Sequence, residues 1–216
     1  MHLLSIILIL LILSVWIFFG VRSLCSVKKE TGRRRWLVGI GAIFAMIGAL
    51  GFFGAALSAT GGLNWLPESF QWPVGFANGV VSTEDHFFVV PHTPSGRVQV
   101  YDSHWKFVRG WHVDAGGGTF ILRVLQGGRV EVLTARGEWR YVFELSGNLL
   151  SKEHHLSAAY SSFPKEGQSR FVPTAPWLWV FSNPIYSWLS AAAGIGLLIA
   201  SGKISLKKKG GTKKHS

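Results

Sequence analysis

Three apolar runs without any charged residue constrain this chain more than any other feature, and they cover residues 3–21, 36–59 and 177–202. A helix needs about 20 apolar residues to cross the ~30 Å hydrocarbon core of a bilayer. Every run reaches this length, so the sequence predicts three transmembrane helices, with bounds 1–21, 36–59 and 177–202. Pro184 is expected to bend the third helix or to start it.

The first run is predicted to remain in the protein as an anchor and not to be removed as a signal peptide. Only Met1 and His2 precede it, whereas a signal peptide has a basic n-region and a shorter apolar core. Arg22 stands where a cleavage site needs a small residue. Leu24 precedes Cys25, although a lipoprotein cysteine usually follows Gly or Ala.

The net charge of +11 is concentrated beside the apolar runs. Residues 22–35 hold six basic residues and one acidic residue, and residues 203–216 hold six more basic residues. The stretch 60–176 is neutral, with ten residues of each sign. A strongly basic chain often binds nucleic acid, but this placement favours anionic lipid headgroups. The predicted headgroup residues are Arg33, Arg34, Arg35, Lys207, Lys208 and Lys209.

The positive-inside rule sets the predicted orientation. Loop 22–35 and the Lys-rich tail 203–216 are expected in the cytoplasm, with the N-terminus and residues 60–176 outside. The single cysteine, Cys25, falls on the cytoplasmic side, and the sequence has no Asn-x-Ser/Thr sequon. These features together favour an integral protein of a bacterial inner (cytoplasmic) membrane.

The outer segment, residues 60–176, is predicted to be an all-β domain. Short runs such as 97–101, 129–133 and 138–145 alternate apolar and polar residues, which is typical of strands with one buried face. Gly-rich turns separate them. The pattern predicts about eight antiparallel strands and no soluble helix, so the fold class is α-helical membrane anchors plus an all-β extracytoplasmic domain.

An internal repeat divides this domain into two predicted four-stranded units. Gly96-Arg97-Val98-Gln99-Val100 in the first unit corresponds to Gly128-Arg129-Val130-Glu131-Val132 in the second. With the following Tyr101-Asp102 and a Phe-Val strand, the first unit resembles an NHL-type β-propeller repeat, and the resemblance extends over residues 86–145. The second unit departs from that pattern because Leu133-Thr134 replaces Tyr101-Asp102.

The number of repeats limits what the resemblance implies. A closed propeller takes about four to eight blades, and this chain supplies two. The two units are expected either to pack as a small sandwich or part-barrel, or to join a ring completed by other chains. Plain hairpin repetition in a meander sheet explains the pattern equally well. Each arrangement leaves sheet edges open for a partner.

Residues that could carry chemistry are sparse. Six histidines lie in the outer segment, but none has the i, i+4 spacing of a helical metal site. No Gly-x-Ser-x-Gly motif is present, and the apolar runs hold no Asp, Glu, Lys or Arg for an ion pathway. The sequence therefore predicts no catalytic, cofactor-binding or metal-binding residue.

Small residues at helical spacing are the predicted helix-packing positions. They are Gly41, Ala45 and Ala49 in the second run and Ala192, Gly196 and Ala200 in the third. Aromatic residues that flank the outer segment, including Trp65, Phe76, Phe171 and Trp177, are expected to form a collar at the membrane surface or against a partner.

These observations favour a non-catalytic integral membrane protein that acts through protein–protein interaction, as an accessory or assembly subunit of an envelope complex. The expected partners are membrane lipids and other membrane proteins or copies of this chain, without nucleic acid. The alternative is a receptor-like protein whose β-domain binds a small ligand or glycan. A third reading, an enzyme with an unrecognised outer site, rests on no motif.

Overall fold

The computed structural model describes residues 2–164 and 167–204, so the predicted headgroup residues Lys207, Lys208 and Lys209 lie outside the described residues. Within these residues, two helices are long and apolar enough to cross a membrane, α1 (His2–Val27) and α2 (Gly32–Ala59). α1 continues six residues beyond the predicted bound at residue 21. The basic loop is correspondingly short, because Arg33, Arg34 and Arg35 form the first turn of α2.

The third apolar run is broken into two helical segments, and the chain direction bends by 105° between them. The first covers Pro176–Ser182 and ends in the short helix α4 (Trp179–Ser182), and the second is α5 (Pro184–Ala200). Asn183 caps α5 by accepting a hydrogen bond from the Ile185 amide at 2.9 Å, and Pro184 occupies the first helical position, where its missing N–H costs nothing. The continuous helix predicted over 177–202 therefore starts at residue 184.

α5 lies along α2 at unusually close range. A Cβ added to Gly48 of α2 would lie 2.4 Å from the Ala191 amide nitrogen, and one added to Gly194 of α5 would lie 2.4 Å from that of Ala45. Beyond the end of α5, Lys203 Nζ is 3.7 Å from a carboxylate oxygen of Glu30, which precedes α2. α5 thus runs antiparallel to α2 and returns the chain to the level of the α1–α2 loop.

The described part of residues 60–176 forms two antiparallel sheets, as the alternating pattern predicts. The first sheet has five strands in the order β4-β3-β2-β1-β9, and the second has four in the order β5-β6-β7-β8. The first sheet contains β1 (Gly75–Ser82), β2 (Phe88–His92), β3 (Arg97–Tyr101), β4 (Phe107–His112) and β9 (Gln168–Val172). The second contains β5 (Phe120–Leu125), β6 (Arg129–Thr134), β7 (Trp139–Phe143) and β8 (Leu149–His154).

The two repeat units occupy different sheets and share one core. β2, β3 and β4 come from the first unit, and β5, β6 and β7 come from the second. Gly96 and Gly128, which precede β3 and β6, both have positive φ, of 65° and 71°, so each hairpin turn needs its glycine. Valines of β2 and β3 pack against Phe120, Val130 and Tyr141 of the second sheet in the shared core.

Two parts of this domain differ from the prediction. The described residues form nine strands, because β9 follows the second unit and pairs with β1 across about ninety residues of sequence. A short helix, α3 (Ser157–Ser162), lies between β8 and β9, although no soluble helix was expected. The first sheet is therefore five-stranded, and the predicted pair of four-stranded units holds only for the second sheet.

Candidate functional site

The first candidate site is the junction where the β-domain meets the apolar helices. A 3₁₀ turn, Thr93–Ser95, joins β2 to β3 and enters this junction. The His92 ring bridges two elements there, since Nδ1 lies 2.7 Å from Ser95 Oγ and Nε2 lies 2.8 Å from the Ser182 carbonyl oxygen. Because a carbonyl can only accept, Nε2 carries the proton and Nδ1 accepts from the Ser95 hydroxyl.

His92 is neutral at ordinary pH because burial lowers the pKa of its imidazole to about 4. Ser95 and Ser58 are also fully buried, and Ser58 Oγ donates to the Ser95 carbonyl oxygen at 2.6 Å. A Ser–His pair of this kind could in principle be a nucleophile and its base. Its burial between α2, α4 and the 3₁₀ turn instead makes it a polar connection between the helices and the first sheet.

Two further hydrogen bonds strengthen this connection. The Gly117 amide donates to the carbonyl oxygen of Ala59, the last residue of α2, at 3.0 Å. The indole Nε1–H of Trp72 donates to the Phe181 carbonyl oxygen of α4 at 3.1 Å. The β-domain is therefore fixed to α2 and α4 by several buried contacts and is not carried on a loose linker.

Buried polar side chains of β3 hold the segment that leads from α2 to β1. Gln99 is fully buried and exchanges two hydrogen bonds with the backbone of Trp72, at 2.8 and 3.0 Å. Arg97, also fully buried, donates from Nη2 to the carbonyl oxygens of Gly110 and Pro67, and desolvation lowers the pKa of its guanidinium. Burial likewise lowers the pKa of His112, its partner in register on β4. Sequence alternation could not assign these residues to the interior, because they occupy the polar positions of their strands.

The second candidate site is β8, the terminal strand of the second sheet. Most of its side chains are exposed, and Leu149 and Leu150 are 51% and 49% exposed, with Leu156 just beyond at 81%. The His155 amide donates inward to the Glu138 carbonyl on the β7 side. By the alternation of an antiparallel strand, the amides of Lys152 and His154 point outward, away from β7.

The other strands that end a sheet differ from β8. The Gly110 amide of β4 donates to the Glu68 carbonyl oxygen at 2.8 Å, so the segment before β1 covers that edge. β5 is at least half buried along its length because it lies against the first sheet. β9 is exposed at three polar residues, Gln168, Ser169 and Arg170, and its exposed aromatic residue, Phe171, lies beside the Trp179 ring. Among the described strands, β8 alone combines a terminal position with exposed leucines.

An ionic cluster stiffens the sheet that carries β8. Glu131 of β6 is almost fully buried and pairs with both Arg123 of β5 and Arg140 of β7. Arg140 also lies 3.6 Å from Glu153 of β8. The Arg123 guanidinium stacks 4.9 Å from the centre of the Phe163 ring, which anchors the segment after α3. These pairs connect all four strands of the second sheet.

The structure places the predicted helix-packing residues on two different surfaces. Gly41 and Ala45 contact α5, and Ala49 is buried in the same helix. On α5, however, Ala192, Gly196 and Ala200 are exposed, and no other residue lies within 4 Å of a Cβ added to Gly196. The surface of α5 that contacts α2 contains Ser187, Ala191, Gly194 and Leu198.

The predicted headgroup residues Arg33, Arg34 and Arg35 are exposed on the first turn of α2. Arg34 pairs with Glu30 at 3.0 Å, and within the described residues neither Arg33 nor Arg35 has an acidic partner. The aromatic residues expected in a collar lie partly together. Phe76 and Phe171 are opposite each other on β1 and β9, and the Phe171 and Trp179 rings are 6.0 Å apart.

Residues 2–164 and 167–204 contain no group of three or more His, Cys, Asp or Glu side chains arranged to hold a metal ion. A cleft of ≈ 390 Å³ opens between the ends of β1, β5 and β9, and Glu84, Gln126 and Arg170 line part of it. No protein-family model matches the chain, and no curated protein matches it either. The NHL resemblance of residues 86–145 therefore stays a prediction.

Proposed function

We propose that this chain is a non-catalytic integral membrane protein that acts through protein–protein interaction, as an accessory or assembly subunit of an envelope complex. The free edge of β8 is the observation that carries the proposal. A terminal strand with exposed leucines and outward-pointing amides can accept a strand from a second protein. The rigid connection to α2 and α4 would then fix that partner at a set distance from the membrane.

The proposal includes three spans, with the bent pair Pro176–Ser182 and Pro184–Ala200 as the third. α5 has 17 residues, which is about 25 Å of helix, close to the thickness of the hydrocarbon core. Lys203, just beyond the last turn of α5, contacts Glu30, which precedes α2. If α2 crosses the bilayer, α5 crosses it as well, and α4 lies at the outer interface with Trp177 and Trp179 as anchors. We propose that the β-domain lies outside and the basic segments lie in the cytoplasm, as the positive-inside rule predicts for this topology.

The proposal is tested by photo-crosslinking from β8 in native membranes. A photoreactive amino acid at Ser151, in the middle of β8, should give one discrete adduct with a membrane or envelope protein, identified by mass spectrometry. The double variant Leu149→Lys/Leu150→Lys places charges on this edge and should abolish the adduct. Val108→Lys on β4 is the matched control, because Val108 is also apolar and exposed but lies on an edge that the chain itself covers.

The adduct also distinguishes the kinds of partner. A mass of two chains identifies a second copy, and differently tagged copies should then co-purify. The proposal would be contradicted if Ser151 gives no adduct and the same proteins co-purify with the double variant as with the parent chain.

The second candidate function is binding of a small ligand by the β-domain, and the ≈ 390 Å³ cleft between β1, β5 and β9 is the observation that favours it. Its volume is in the range of ligand sites, which is roughly 300–1,000 Å³. Arg170→Gln in the cleft should weaken binding of an acidic sugar or other anionic ligand without altering crosslinking from β8. If Arg170→Gln instead leaves ligand binding unchanged and alters crosslinking from β8, the interaction role is favoured.

A further inference from the structure

A groove opens between the apolar helices near the α1–α2 loop. α1 touches α2 closely at Gly20, where an added Cβ would lie 2.2 Å from Met46 Cγ. Beside this contact, residues of α1, α2 and α5 together enclose a groove of ≈ 860 Å³. The groove lies at the opposite end of the helices from the β-domain.

The groove has an apolar part and a basic mouth. Its apolar part is lined by Val15, Trp16, Phe19, Ala42, Ile195 and Leu198. At the end nearer the α1–α2 loop, Arg22, Lys29 and Lys203 join the lining, together with the hydroxyls of Ser23 and Ser26. The change from apolar to basic occurs within about two helical turns, because Trp16 and Arg22 lie on the same helix.

The positive charge at the mouth is only partly balanced. Lys203 shares Glu30 with Arg34, at 3.7 and 3.0 Å respectively. Within the described residues, Arg22 and Lys29 have no acidic partner. An occupant that complements this site carries a negative headgroup against Arg22 and Lys29 and a hydrocarbon chain against Trp16 and Phe19.

We infer that this groove is a binding site for one anionic phospholipid. Basic pockets between membrane helices on the cytoplasmic side are suited to phosphate headgroups, and the Ser23 hydroxyl adds a hydrogen-bond donor, whereas the Ser26 hydroxyl already donates to the Ser23 carbonyl oxygen at 2.6 Å. The site is distinct from the exposed first turn of α2, since Arg33 and Arg35 do not line the groove. A lipid held here would fill the space between α1 and α5.

Cys25 provides a built-in probe, because it lines the groove and is the only cysteine in the sequence. The full-length protein is reconstituted in phosphatidylcholine vesicles with increasing phosphatidylglycerol, and the rate of Cys25 alkylation by N-ethylmaleimide is measured. Bound phosphatidylglycerol should slow alkylation. Each basic residue near a headgroup contributes roughly 5-fold in affinity, so Arg22→Gln/Lys29→Gln should weaken this protection about 30-fold.

The controls separate a specific site from surface charge. Arg33→Gln/Arg35→Gln removes the same amount of charge outside the groove and should retain protection. The charge-preserving variant Arg22→Lys/Lys29→Arg should also retain protection, and it checks that changes at these two positions do not prevent folding. The inference is overturned if both neutralised variants lose protection equally, if Arg22→Gln/Lys29→Gln loses none, or if phosphatidylcholine alone protects as well. Protection by soluble glycerol phosphate would show a free-anion site and would equally contradict a lipid site.

Discussion

Replacing Gly194 of α5 by alanine should separate α5 from α2. The added Cβ would lie 2.4 Å from the amide nitrogen of Ala45 and 2.5 Å from the carbonyl oxygen of Gly41. Both neighbours are helix backbone and cannot move aside as a flexible side chain would. Gly196, two residues further on, is the matched control because nothing lies within 4 Å of its added Cβ.

The magnitude follows from the geometry. Carbon atoms in good contact are about 3.5–4.0 Å from their neighbours, so α5 must move by roughly 1 Å to admit the methyl group. Overpacking of this kind costs about 1–3 kcal/mol. Gly196→Ala should instead gain up to ~1 kcal/mol, because alanine has the higher helix propensity. We expect the two variants to differ by about 1–4 kcal/mol in the free energy of unfolding.

The assay is unfolding of the purified protein in mixed micelles with an increasing fraction of dodecyl sulfate, monitored by circular dichroism. Gly194→Ala should unfold at a lower fraction than the parent protein, and Gly196→Ala at an equal or higher fraction. If Gly196→Ala is the more destabilised of the two, α5 packs through Ala192, Gly196 and Ala200, and the close α2–α5 contact is wrong.

Two further predictions concern the β-domain. The pKa of His92 is about 4 in the folded protein and near 6.5 in the unfolded chain, so the unfolded state binds more protons between these values. Stability should therefore fall as pH drops from 6.5 towards 4, by about 2 kcal/mol at pH 5, and thermal unfolding of His92→Gln should show a weaker pH dependence. An equal dependence would contradict the buried neutral ring, and the lowered pKa of His112 accounts for the pH dependence that remains in the variant. Gly167→Ala places a Cβ 2.3–2.5 Å from the Gly79 backbone and should speed amide hydrogen exchange throughout β9, whereas Gly54→Ala, with open space around it, should not.

Local sequence patterns were sufficient to predict α1, α2 and most strands. Charge-free runs identify α1 and α2 because a bilayer excludes charges, and alternation identifies strands such as β3 and β6 because one face of each is buried. The repeat glycines Gly96 and Gly128 do mark equivalent turns. These features depend on a few neighbouring residues, and the sequence displays them directly.

Long-range features were not predictable in this way. β9 pairs with β1 through Phe171 and Phe76, and His92 contacts the Ser182 carbonyl from 90 residues away. No short window of sequence encodes either contact. The contact surface of α5 was ambiguous for a different reason, since Ala191, Ala192 and Ala193 are consecutive and put a small residue on every side of the helix. Only the position of Gly194 against α2 resolves it.

We propose that the β-domain and the basic segments lie on opposite sides of a membrane. Three exposed positions test it, Ser103 beyond β3, Thr31 before α2 and Ile204 after α5. Each is changed singly to cysteine in a Cys25→Ser background, and intact cells or spheroplasts are treated with a membrane-impermeant thiol reagent. Ser103→Cys should be labelled, whereas Thr31→Cys and Ile204→Cys should react only after the membrane is permeabilised. Labelling of Thr31→Cys and Ile204→Cys alone would invert the orientation, and labelling of Ser103→Cys together with Ile204→Cys would show that α5 does not cross.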